Sequence, residues 1–241
     1  MVSRNSAKLI ATVSSRLSEH DDPEKASQMR AYMNSEMPYL GVQTPQRRAL
    51  CKEVFAELPL TSFVEWQQTI LRIWRNASYR EERYAAIDLA SFPGYREYRG
   101  MKALPMYEEM ITTGAWWDYV DGIATGPVAE IMRRSPKGMS RRMRSWARSG
   151  DIWKRRTSII CQLGFKDHTD LMLLYDCIDP SMERKEFFLR KGIGWALREY
   201  AKTDPQEVIR YVKQHRHLLS PLSRREALRN VVKAGLLDAI P

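Results

Sequence analysis

The chain has 241 residues, 44% hydrophobic and 28% charged, with a formal net charge of +10 and a pI near 9.6. Such a length and balance suit a globular protein with a sizeable core. They exclude a membrane-spanning chain, because no apolar run approaches the ~20 residues that cross a bilayer, and the N-terminus turns polar too early for a secretory signal. The excess of Lys and Arg points to a polyanionic partner, most simply nucleic acid.

Helical patterns run nearly end to end, and Pro and Gly divide them. Pro23, Pro45, Pro59, Pro93, Pro105, Pro136, Pro180, Pro205 and Pro221 fall at intervals along the chain. Thr44-Pro45, Ser135-Pro136, Asp204-Pro205 and Ser220-Pro221 each place a capping residue before a proline. A proline at the first helical position sacrifices no intrahelical hydrogen bond. Between these breaks apolar residues recur at three- to four-residue spacing, as in Phe63, Trp66, Ile70, Ile73 and Trp74. Period-two alternation bounded by hairpin turns is missing. The expectation is an all-α protein, one domain over residues 1–241, with about a dozen helices of roughly 10–18 residues.

A repeat emerges from the helical pattern. Arg47, Arg83, Asp121, Arg156, Lys191 and Arg224 each precede a small or apolar residue by three places, at separations of 36, 38, 35, 35 and 33 residues. That is the length of a helix pair with its turns, near the lower end of HEAT-like repeats. One helix of each pair would line an inner, concave face. Five of the six aligned positions are basic and Asp121 alone is acidic.

Asp121 lies in AWWDYVD (115–121). On a helix Trp117 and Asp121 are four apart and share a face, and Asp118 is three from Asp121. IWKRR (152–156) carries Arg156, and IGWALREYA (193–201) sets Trp195 and Arg198 three apart. Stacked repeats would let Asp121, Arg156 and Trp195 converge. Plainer readings stand beside this one. Tryptophans at helical spacing are commonly core, and Trp66, Trp74, Trp116, Trp146 and Trp153 read that way. Asp118 reads as a helix-start carboxylate, and Asp121 with Arg156 could be a structural ion pair. An aromatic face beside a carboxylate nevertheless suits a cation. On DNA the cationic lesions are purines alkylated at N3 or N7, whose cleavage passes through an oxocarbenium-like sugar that a carboxylate stabilises. Cys51, Cys161 and Cys177 form no CxxC pair and read as reduced core thiols of a cytosolic protein. The four histidines form no cluster with metal-ligand spacing, so no metal site is expected.

YLGVQTPQRR (39–48), WWDYVD (116–121), IWKRR (152–156) and KEFFLRKGIGWALREYAKTDP (185–205) together resemble the AlkD family of bacterial DNA alkylation repair glycosylases. The resemblance covers nearly the whole chain and implies a right-handed superhelix of HEAT-like repeats. It implies excision of N3- and N7-alkylated purines from double-stranded DNA, in the bacterial cytoplasm, without metal or cofactor and without drawing the base into a deep pocket. By the matching motifs Asp121 takes the catalytic place, and Trp117 and Trp195 take those of aromatics against the deoxyribose. Arg156 and Arg198 take the places of phosphate-binding arginines, and Tyr32 and Gln43 match positions near DNA. Arg47 and Lys191 join this DNA-binding set through the basic inner row. Arg141, Arg142, Arg144 and Arg148 are either further phosphate contacts or a solvated face. Two other readings remain: a non-catalytic protein that binds damaged or distorted DNA, and a protein–protein scaffold. A solenoid buries its core internally, so a monomer is expected.

Overall fold

A helix starts at each of the four places where the sequence sets a capping residue before a proline. The structure, a computed structural model, describes residues 3–241 and contains fourteen α-helices and no strand among them. Asp204 caps the N-terminus of one helix by accepting from Glu207 N at 2.9 Å, and Ser220 caps another by accepting from Ser223 N at 3.0 Å. At Thr44-Pro45 the helix already includes Thr44, and Gln43 takes the cap position without a side-chain bond. No helix among the described residues is long and apolar enough to cross a membrane.

The chain divides into two compact units, the first ending at Met106 and the second running Tyr107–Pro241. In the first, α1 (Arg4–Ser18) packs on α3 (Thr44–Glu57), α4 (Phe63–Asn76) and α5 (Arg80–Ser91); α2 (Pro23–Met33) follows α1. Leu9, Val13 and Leu17 of α1 are buried with Trp66, Ile70 and Trp74 of α4 and Ala85, Ala86 and Leu89 of α5. The YLGV stretch has a structural task here. Leu40, Gly41 and Val42 donate their backbone N–H groups to the fully buried Glu81 carboxylate at 3.0, 2.9 and 3.2 Å. Gly41 has φ +90°, and a Cβ there would lie 2.2 Å from the Asp22 carbonyl oxygen, so glycine is required.

The helices of the second unit stack in two layers. They are α6 (Leu104–Gly114), which starts just before the boundary, α7 (Trp117–Ile123), α8 (Ala129–Arg134), α9 (Pro136–Ala147), α10 (Ile152–Ile160), α11 (Leu171–Ile178), α12 (Phe187–Tyr200), α13 (Pro205–Gln214) and α14 (Pro221–Lys233). α7, α10, α12 and α14 pack each on the next. α9 and α11 pack together in the other layer, and α11 meets α13 where Tyr175 and Tyr211 stack with ring centroids 4.1 Å apart. Side-chain bonds between stacked helices recur at separations close to the repeat length. Asp121–Arg156 and Lys191–Glu226 are 35 residues apart, and Arg144–Asp176 and Tyr175–Glu207 are 32 apart.

Several helices are shorter than expected, α7 having 7 residues and α8 having 6. Pro127 is the cause. It lacks an N–H and would collide with the carbonyl four residues back, so the chain widens into a π-turn over Ala124–Val128 between the two helices. α12 and α14 approach closely because Gly194 has no side chain; a Cβ there would lie 2.4 Å from Glu226 Cβ.

Candidate active site

α7 opens abruptly. Ala115 takes a left-handed conformation (φ 43°), and Trp116, extended, caps the helix before Trp117 begins it. This turn separates the two tryptophans. Trp116 packs on Trp153 and Phe188, with ring centroids 6.4 and 5.5 Å apart, as the packing reading expects. Trp116 is half-buried, whereas Trp66, Trp74, Trp146 and Trp153 are buried. Trp117 is half-buried and lies one turn before Asp121 on the same face of α7. Asp118 occupies the first turn, where a carboxylate meets the positive end of the helix dipole.

Asp121 and Arg156 do converge. Arg156 Nε donates to Oδ1 and Nη2 to Oδ2 of Asp121, both at 2.7 Å, a two-pronged fork. The Arg156 and Asp121 side chains are 5% and 14% exposed, so the pair is shielded from solvent. Arg156 Nη1 also donates to the Phe188 carbonyl at 2.5 Å. Burial raises the Asp121 pKa above its ordinary value, the Arg156 hydrogen bonds and charge oppose that rise, and the Asp118 charge adds to it.

α12 brings its contribution along one stripe. Phe188 accepts from Arg156, and Gly192 leaves room for it, since a Cβ at 192 would lie 3.1 Å from Nη1. Trp195 is the next residue on that stripe (i, i+4, i+7) and is half-buried. The second-unit residues singled out in the sequence are thereby placed on adjoining helices.

The basic inner row is not the free row of cations expected from the sequence. Lys191 donates to Glu226 at 2.9 Å and Arg198 donates to the other oxygen of the same carboxylate. Those two cations hold the Glu226 pKa below its ordinary value against its burial. In the first unit Arg47 is 4% exposed, paired with Asp88 at 2.9 Å and stacked on the Tyr84 ring. Arg83 lies over the Trp74 ring and Arg224 donates to the Pro241 carbonyl at 2.5 Å. Asp88 and Glu226 lie off the repeat anchors, so an alignment of anchors alone misses them. Gly192 and the Phe188 carbonyl were missed too, although a glycine inside a strong helical pattern was a readable sign of close approach. Tyr32 is 80% exposed and Gln43 is exposed, both on the first unit.

Residues 13–231 match the family described as DNA alkylation repair enzyme. The chain belongs to that family. It is also similar to a solved structure described as a predicted DNA alkylation repair enzyme from Enterococcus faecalis. The identity is 29% and the TM-score 0.81, over 89% of this chain and 98% of that one. No curated protein sequence matches it significantly.

Proposed function

We propose that the chain is a DNA glycosylase that hydrolyses the N-glycosidic bond of cationic N3- and N7-alkylated purines in duplex DNA. The observation that carries this reading is the Asp121 carboxylate, fixed by the Arg156 fork on a face shared with Trp117 and next to the α12 stripe that ends in Trp195. Positive charge develops on the deoxyribose as the bond to the base breaks. A carboxylate already in place stabilises that charge without reorganising, an effect of about 3–4 kcal/mol for a single well-placed group. Asp121 uses one lone pair on each oxygen for Arg156 and keeps others for the sugar or for the attacking water. Trp117 and Trp195 supply apolar and cation–π contact to the charged nucleoside.

Arg156 takes a different part from the phosphate ligand that the resemblance implies. Three of its five N–H donors are committed to Asp121 and Phe188, so its first role is to orient the carboxylate and keep it ionised. Phosphate contact falls to Arg198 and Lys191, whose two charges exceed the single charge of Glu226. Tyr32 and Gln43 are proposed DNA contacts on their exposure.

The competing reading is a protein that binds alkylated DNA without cleaving it. It is favoured by the completeness of the Asp121–Arg156 pair, which needs no substrate to satisfy it. Duplex carrying N7-methylguanine, incubated with excess protein, decides between the two. The native chain is expected to release free base and Asp121→Asn to release far less; no release by the native chain, or equal release by both, refutes catalysis at Asp121.

A further inference from the structure

We infer that α8 and α9 carry a second surface for duplex DNA, separate from the Asp121 site. Seven cations lie between Ile131 and Gly150, namely Arg133, Arg134, Lys137, Arg141, Arg142, Arg144 and Arg148, with no Asp or Glu among them. This one segment holds most of the formal net charge of +10. The layer bearing the site is, by contrast, largely neutralised, with Arg156, Lys191 and Arg198 all paired to acids.

The geometry of α9 turns the charges outward. Met139, Met143, Trp146 and Ala147 are buried where α9 packs on α10 and α11. Lys137, Arg141 and Arg142 lie on the exposed side and form no ion pair among the described residues, and Arg148 is exposed with only the Arg144 carbonyl as partner. Asp176 is the acid that reaches this helix from α11, and Arg144 holds it at 2.6 Å. Lys137, Arg141, Arg144 and Arg148 stand at i, i+4, i+7 and i+11, a stripe about 16 Å long. Phosphates on one DNA strand advance ~3.4 Å per step along the axis, so the stripe meets the backbone over about five base pairs. Arg133, held over the Phe165 ring with its guanidinium 4.0 Å from the centroid, extends the surface from the end of α8. The surface offers cations without the aromatic and carboxylate groups of the site, so its ligand is the phosphate backbone and not the lesion. Its effect is to let one protein hold two DNA segments and pass between them.

The test compares the native chain with Lys137→Glu/Arg141→Glu/Arg142→Glu, exposed positions whose change leaves the folded state intact by thermal melting. Anisotropy with an unmodified duplex across a salt series is expected to give a log–log salt slope shallower by about 2–3 for the variant, from ~0.9 per lost phosphate contact. Beads bearing N7-methylguanine duplex, given the native chain or Asp121→Asn, are expected to capture a labelled unmodified duplex. The triple variant should remain on the beads and capture none, and the charge-preserving Lys137→Arg/Arg141→Lys/Arg142→Lys should restore capture. An unchanged salt slope in the triple variant, or equal capture by it, overturns the inference. So does charge-dependent binding to phosphatidylglycerol vesicles that exceeds binding to DNA at the same salt. Failure of Asp121→Asn, which leaves the lesion in place, to stay on the beads counts against the proposed function instead, and the anisotropy measurement still decides the second surface.

Discussion

Arg156→Lys keeps the positive charge and removes the fork. A lysine ammonium meets Asp121 at a single point, and it reaches the Phe188 carbonyl only by moving away from the carboxylate. Of the three bonds Arg156 makes, at 2.7, 2.7 and 2.5 Å, one or two are lost. Hydrogen bonds to charged groups contribute about 1.5–3 kcal/mol each, so the expected loss is about 2–4 kcal/mol. No large discount for solvent applies, because the two side chains are only 5% and 14% exposed. For a chain of this size each kcal/mol lowers the melting temperature by about 2–4 °C, giving a fall of about 5–15 °C. Calorimetry of the native chain, Arg156→Lys, Asp121→Asn and the double variant measures both the fall and the coupling. A coupling energy of about 1.5 kcal/mol or more is expected for two charged partners in direct contact. A melting temperature within about one degree of native, or strictly additive losses, would refute the claim that this fork holds the site together.

Three further outcomes are expected. Under the proposed function base release needs ionised Asp121, and burial raises the pKa of that carboxyl, so a pH–rate profile in single turnover should fall on acidification at a pH above the ordinary 3.8; a limb at or below 3.8 contradicts this. Ala115→Gly should raise stability by about 0.5–1 kcal/mol, because glycine adopts the left-handed φ of 43° without the cost of a Cβ; denaturant titration showing destabilisation would sink the argument. Burial pushes the thiols of Cys51 and Cys177 up to about 12 and that of Cys161 well above its usual value, so a thiol reagent at pH 8 should label none of the three before unfolding.

Much of the second unit was legible because its contacts follow the repeat. Helix starts at Asp204 and Ser220 were readable from capping residue plus proline, and the separation of Asp121 from Arg156 by 35 residues announced their meeting. The packing of Trp116 was readable as well, but the turn that parts it from Trp117 was not, because Trp116 is the extended cap of α7 and not a residue of the helix. The charge balance was not legible. Asp88 and Glu226 sit off the anchor positions, and only the packing of α3 on α5 and of α12 on α14 brings them to Arg47, Lys191 and Arg198. The π-turn after α7 depends on Pro127 inside a continuing helix, where local pattern reads only a break.

Under the proposed function, the pairing of Asp121 also answers how a carboxylate can work on a protein that binds a polyanion. An unpaired carboxylate facing phosphates would repel them and would be driven toward its protonated form by burial and by Asp118. Arg156 cancels that charge at long range, where the fork and the carboxylate together look neutral. At contact distance the oxygen lone pairs not taken by the fork still present negative potential, and Coulomb interaction at ~3–4 Å in a shielded site far exceeds its value in water. The same pairing at Glu226 leaves one net cation for the backbone where two stand in the sequence. Under the proposed function the site layer selects a cationic nucleoside at short range and leaves bulk attraction for DNA to charges placed elsewhere, such as Lys137, Arg141 and Arg142 on α9, which form no ion pair among the described residues.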